Sequence, residues 1–297
     1  MFGLQIRSVL LQEETKSKTI ISKQFQKKNH QNQSNVGKLV RKESLLSDAC
    51  ENGNLQEVKK LLGNTQLNLS FNWKPFYIAC KNGHIEIVKL LLNDNRVNVN
   101  DESGDITERY NDGQPPFWIA CFNGHIEIVK LLLKDQRIDP NKADKYGDTP
   151  FYIACQKGHI EIVKLLLNDQ RIDLNKGINQ YDQTPICVAS KYGHIEIVKL
   201  LLNDNKVDIN KASNHGETPI SLSCKYGHIE IVKLLLNNNK IDINKANNDG
   251  MTPLYRVCRE GHIEIVKLLL NDKRIDLNKA NIFKHLFIVL VIMEKLK

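Results

Sequence analysis

The sequence predicts an all-α solenoid, an elongated array of stacked helix-turn-helix units joined by hairpin-like connections. Three observations carry that expectation. The string GHIEIVKLLL begins at Gly83, Gly124, Gly158, Gly193, Gly227 and Gly261, and a weaker copy, GNLQEVKKLL, begins at Gly53. Successive starts lie 30, 41, 34, 35, 34 and 34 residues apart, and a period near 34 built from one short supersecondary unit marks an array in which each unit buries its apolar face against its neighbours. The charge is also partitioned. Of the net +8 over 297 residues, residues 1–43 hold nine basic and three acidic side chains, residues 44–283 hold thirty of each, and residues 284–297 hold three and one. A pI of about 9.0 makes nucleic acid or an acidic membrane the first partner to consider, yet the body is neutral and the excess sits in a tail.

Taken in order, residues 1–43 are rich in Gln, Asn, Ser and Lys with scattered apolar residues, and are expected to form an unfolded basic tail with a short helix over Phe2 to Leu11. Gln5, Arg7 and Ser8 interrupt any secretory apolar run. The array is expected over 44–282, in units of roughly 44–73, 74–111, 112–146, 147–180, 181–214, 215–248 and 249–282. The first unit carries Gln56, Lys59 and Lys60 on a helix that later units keep more apolar, which suits a solubilising cap.

The unit from Tyr146 to Lys176 shows the local code. Thr149 is placed to cap a helix with Pro150 in its first turn, Phe151, Ile153, Ala154 and Cys155 follow, and Gly158 supplies a left-handed stop. A second helix over Ile160 to Leu167 has apolar residues around more than one face, as expected of a helix packed on both sides, with Glu161 and Lys164 paired on its exposed strip.

Gly147-Asp148-Thr149-Pro150, then Ala154-Cys155, then Gly158-His159-Ile160-Glu161-Ile162-Val163-Lys164-Leu165-Leu166-Leu167 resembles the ankyrin repeat, over about four fifths of the chain. Thr-Pro recurs at 184/185, 218/219 and 252/253, whereas earlier copies carry Lys74-Pro75 and Pro115-Pro116 and lose the hydroxyl cap. The histidine the family places two residues after that proline is replaced by Tyr77, Trp118, Tyr152, Cys187, Ser221 and Tyr255, so its hydrogen bonds must be made otherwise or lost. Asparagine stands where glycine usually ends the second helix, and is expected to take the left-handed conformation in its place. The resemblance implies a protein-interaction scaffold without catalysis, binding through hairpin tips and the concave face.

Chemistry-bearing patterns are read against this repeat. Cys80/His84, Cys121/His125, Cys155/His159, Cys224/His228 and Cys258/His262 share a Cys-x3-His spacing that zinc tolerates. The pair recurs because the unit recurs, so no metal or other cofactor is expected, and the seven cysteines are read as reduced thiols of a cytoplasmic or nuclear protein. Phosphate loops, metalloprotease and hydrolase motifs and kinase strings are absent from the sequence, and an enzyme is not expected.

Positions that vary between units are where a partner would be read. Phe122, Tyr192 and Tyr226, with Trp118 and Tyr152 nearby, form a candidate aromatic stripe, the alternative being burial against the adjacent unit. The 41-residue spacing inserts an acidic segment, with Asp101, Glu102, Asp105 and Glu108 as candidate contacts for a basic partner, against a tolerated loop insertion. After Asn281 the register stops, and the apolar run Leu286 to Met293, far short of the roughly 18 residues a spanning helix needs, is expected to cover the last repeat or to be a truncated copy. A monomeric protein-binding scaffold is therefore the expected function. The alternatives are a regulatory part of a larger protein, and a nucleic-acid or membrane-surface binder acting through the basic tail.

Overall fold

A computed structural model describes residues 41–63, 67, 69, 74–100, 113–176 and 182–279. Among these residues there are helices and turns and no strands. Helix α1 covers 41–51, and is thus already formed ahead of the boundary expected at residue 44. It pairs in sequence with α2 (Leu55–Leu62). Six further pairs follow: α3 (Lys74–Asn82) with α4 (Ile85–Leu92), α5 (Pro116–Phe122) with α6 (Ile126–Leu133), α7 (Pro150–Lys157) with α8 (Ile160–Leu167), α9 (Pro185–Tyr192) with α10 (Ile195–Leu202), α11 (Pro219–Tyr226) with α12 (Ile229–Leu236), and α13 (Pro253–Glu260) with α14 (Ile263–Leu270).

First helices stack on first helices from α3 to α13, and second helices on second helices from α2 to α14, so two layers run the length of the array. The first layer is the drier one. In α7 every residue from Pro150 to Cys155 is buried, because that helix is flanked by α5 and α9 and backed by α8. In α8 only Ile162, Val163 and Leu166 are buried, while Ile160 remains 36% exposed, so the second helices bury a narrower face than expected from apolar residues spread over more than one face. Glu161 and Lys164 pair at 2.6 Å on the outer strip.

The capping expectations hold at the first helices. Thr149, Thr184, Thr218 and Thr252 accept hydrogen bonds from the backbone N–H of Tyr152, Cys187, Ser221 and Tyr255, with proline at the first helical position, and Pro115 makes no side-chain cap. Gly158 ends α7 at φ 78°. Asparagine at the second-helix ends behaves otherwise. Asn93, Asn168, Asn203, Asn237 and Asn271 all lie in the right-handed region, with φ between −85° and −68°. The left-handed cap expected there is replaced by a tightened turn, as in Asp169 N–H to Leu166 C=O at 3.1 Å, and at Asn93 and Asn237 also by a guanidinium from the next unit.

That guanidinium is a long-range cap. Arg96, Arg137, Arg171 and Arg274 each donate Nη2 to the carbonyl of the last helical residue of the preceding unit, Leu62, Leu92, Leu133 and Leu236, at 2.6–3.0 Å. Each is held at 2.6–2.7 Å by the carboxylate two residues before it, Asp94, Asp135, Asp169 or Asp272. A cation at a helix C-terminus meets both the orphan carbonyls and the negative end of the dipole. The guanidinium partner in turn holds each of these four carboxyls below the usual carboxylate range.

A second ladder joins the turns. Asn100, Asn141, Asn175, Asn210 and Asn244 each donate Nδ2 to a backbone carbonyl of the next unit at 2.5–2.8 Å, and accept at Oδ1 the N–H two residues further on at 2.7–3.0 Å. The side-chain amide thus does between units what a strand ladder does between strands. The hairpin-like connections are tight turns, closed for example by Ser213 N–H to Glu217 C=O at 2.9 Å and Gly216 N–H to Ser213 C=O at 2.8 Å.

Candidate partner-binding edge

The first helices end, and the second helices begin, along one edge of the array. There the chain must reverse within a few residues, and glycine does so at positive φ: Gly83, Gly124, Gly158, Gly193, Gly227 and Gly261 lie between 74° and 79°. The histidine after each glycine reaches back across the unit boundary. His84, His125, His159, His194, His228 and His262 place Nε2 2.9–3.3 Å from the carbonyls of Glu51, Lys81, Phe122, Gln156, Lys191 and Lys225. A carbonyl only accepts, so Nε2 carries the proton.

Those contacts give the Cys-x3-His pairs a structural role. The imidazole is committed to a neighbouring carbonyl and the cysteine lies in the core, and among the described residues no three His, Cys, Asp or Glu side chains converge as a metal set. All seven cysteines are buried free thiols, and burial pushes Cys50 up to about 12 and Cys187 and Cys258 up to about 11. A thiol so far from ionising at neutral pH is a poor nucleophile and a poor metal ligand.

The candidate aromatic residues separate by exposure. Trp118 and Tyr152 are 2% and 1% exposed and lie inside the stack, which corrects their placement on a contact surface: the position two residues after the helix-opening proline faces the next unit. Tyr192 and Tyr226, at equivalent places in adjacent units, are 49% and 42% exposed. Phe122 is half-buried, stacked on Trp118 at 5.2 Å. Lysines lie over these rings: Lys157 Nζ is 4.2 Å from the Phe122 centroid, Lys191 5.4 Å from Tyr192 and Lys225 5.2 Å from Tyr226. Tyr192 and Tyr226 also stack on His194 and His228. The outcome is a cationic and aromatic edge on a backbone pinned by the histidines. Asp101, Glu102, Asp105 and Glu108 lie outside the described residues, as do the expected Phe2 to Leu11 helix and the apolar run Leu286 to Met293.

Sequence reading did not single out the arginine clamps, the asparagine ladder or the buried pair of Glu217 and Arg256. The first two carried a signal, since Arg96, Arg137, Arg171 and Arg274, and Asn100, Asn141, Asn175, Asn210 and Asn244, keep the repeat register. Arg256 breaks the register, standing where α7 has Ile153, and its guanidinium is buried against Glu217, which Ser221 and Asn247 also bond.

A sequence profile described as Ankyrin repeats (3 copies) matches residues 17–103, 46–144, 117–213 and 189–281. With that coverage and this architecture, the chain belongs to the ankyrin repeat family. The family is a protein-interaction fold, and binding of protein partners is its general activity. A search of curated proteins returned no match. No described helix is long and apolar enough to cross a membrane.

Proposed function

We propose that this protein is a non-catalytic scaffold that captures a protein partner along the edge formed by Tyr192, Tyr226 and Phe122 with Lys157, Lys191 and Lys225. The observation that supports the reading most is the pair of exposed tyrosines, 49% and 42% accessible, repeated in adjacent units on a backbone that His228 and His262 hold in place. Rigid amphipathic rings lose little entropy on binding and are the usual anchors of interfaces. The lysines over the rings suit a partner with acidic side chains around an apolar anchor point. The acidic segment around Asp101, Glu102, Asp105 and Glu108 is a second candidate contact, for basic groups of the same partner. Seven buried free thiols suit a reducing compartment.

The test is affinity capture with the full chain, followed by titration calorimetry on the partner recovered. Tyr192→Ala with Tyr226→Ala is expected to weaken binding at least about tenfold, as loss of interface anchors does, at unchanged melting temperature. Undiminished binding by this folded double variant would overturn the proposed edge.

A further inference from the structure

Six junctions join consecutive second helices, and four of them close on an arginine. At those four, the guanidinium of Arg96, Arg137, Arg171 or Arg274 bonds both the terminal carbonyl of the preceding unit's helix and the aspartate of its own turn. At the other two, the position holds Lys206 and Lys240. Among the described residues neither lysine side chain makes a hydrogen bond or ion pair, and the Leu167 and Leu202 carbonyls, the counterparts of Leu62, Leu92, Leu133 and Leu236, receive no side-chain donor. Lys206 is exposed, whereas Arg171 at the same position one unit earlier is half-buried.

Open clefts lie at these two junctions. One, of about 460 Å³, is lined by Leu167, Asn168, Asn203, Asp204 and Lys206. The other, of about 320 Å³, is lined by Leu202, Asn203, Leu234, Asn237 and Asn238. The first retains the whole receptor found at the filled junctions. Asp204 occupies the place of Asp94, Asp135, Asp169 and Asp272, and its Oδ1 accepts the Lys206 N–H at 2.8 Å just as Asp169 accepts the Arg171 N–H at 3.0 Å. The second has Asn238 in that place, whose neutral amide oxygen accepts the Lys240 N–H at 3.0 Å, and so lacks the carboxylate charge. An ammonium is a compact, strongly hydrated point charge, while a guanidinium is a planar fork that can bond a carboxylate and a carbonyl at once.

We propose that the cleft between Leu167 and Asp204 binds the guanidinium of an arginine side chain presented by a protein partner. The ligand class follows from the molecule itself, which fills the equivalent cleft with arginine four times. The neighbouring cleft, one helix packing distance or about 8–10 Å away, suits a second arginine. In a polyproline II segment, arginines three residues apart lie on one side about 9 Å apart, which matches that spacing. The inference rests on the reading that the array binds proteins, but not on the aromatic edge, which lies at the other end of the second helices, about 12 Å away.

The experiment titrates the peptide acetyl-Ala-Arg-Pro-Pro-Arg-Ala-amide into the full chain, with backbone-amide shifts of residues 167–168 and 203–206 as the readout and the Lys-for-Arg peptide as comparison. The arginine peptide is expected to bind about tenfold more tightly than the lysine peptide, and Asp204→Asn and Lys206→Arg are each expected to weaken it about tenfold. Lys206→Arg supplies the guanidinium from within the chain, so it should also raise the melting temperature, and loss of binding in that variant cannot be blamed on misfolding. Tyr192→Ala should leave the peptide affinity unchanged, which separates this site from the proposed edge. No binding at millimolar peptide, no preference over lysine, or full binding by Lys206→Arg would each overturn the proposal.

Discussion

The indole Nε1 of Trp118 donates to the backbone carbonyl of Asp148, 2.8 Å away in the turn of the next unit. Tyr77 makes the corresponding reach with its hydroxyl, to Gln114 Oε1 at 3.0 Å, and Cys187 Sγ lies 3.8 Å from the Glu217 carbonyl. Three of the residues that replace the family's histidine therefore bond first helix to following turn with different donors, while Ser221 instead bonds Glu217 in the turn before its own helix. Trp118→Phe retains the aromatic volume and removes the donor, leaving the Asp148 carbonyl without it. The expected loss is about 1–2 kcal/mol in urea denaturation, and an unchanged midpoint would show that the bond contributes nothing.

Asp148 is itself out of balance. Its Oδ1 is buried without a partner, and burial, followed by the charge of Asp144, pushes its carboxyl up to about 7 from 3.8. The folded state prefers the protonated form, so stability from this group is full below the unfolded value, falls as pH rises from about 4 to about 7, and is flat above. Asp148→Asn should raise stability at pH 8 by roughly 1–2 kcal/mol, after allowance for partial exposure, and leave it unchanged at pH 4. Equal gains at both values would contradict the assignment.

Two glycines with the same backbone separate conformation from packing. Gly193 and Gly261 both sit at φ 79°, but a Cβ at Gly193 would lie 2.8 Å from the His228 imidazole, while one at Gly261 would meet nothing within 4 Å. Gly261→Ala is expected to cost about 1 kcal/mol for the left-handed conformation alone. Gly193→Ala must also displace the imidazole from the Lys191 carbonyl, for a total of about 2–3 kcal/mol, measured by thermal unfolding of the two variants side by side.

The Glu217 and Arg256 pair is buried between the turn before α11 and helix α13. Arg256→Ala leaves a buried carboxylate with only Ser221 and Asn247 as partners and should destabilise the chain by about 3 kcal/mol. Glu217→Gln with Arg256→Ile, which places at 256 the residue type of Ile153, should recover most of that loss. A double variant no better than Arg256→Ala would show that the pair itself is net stabilising.

The parts of the fold that were legible are those whose code is short. Thr149 and Pro150 begin a helix, and Gly158 ends it, through groups no more than a few residues apart. The asparagine caps misled for the same reason. The end after Leu92, at Asn93, is satisfied by Arg137, 45 residues further on, and the ends at Asn168 and Asn203 stay right-handed on tight backbone turns alone. At the candidate edge, Tyr192 and Trp118 are both aromatic residues of a first helix, but Trp118 is the third residue of α5 and faces the adjoining unit while Tyr192 is the last residue of α9 and faces solvent.

The sequence by itself determined the repeat, the two-helix unit, the neutral body and the family, because each is written in local periodicity and composition that every copy restates. The tertiary structure decided which aromatic side chains remain outside, which carbonyls the arginines and histidines claim, and where Lys206 leaves a guanidinium place open. These depend on the register between units some 30 to 45 residues apart, as in Arg137 on Leu92 and His159 on Phe122. Only stacking brings such groups within hydrogen-bond reach, and only then do chemically similar positions acquire different partners.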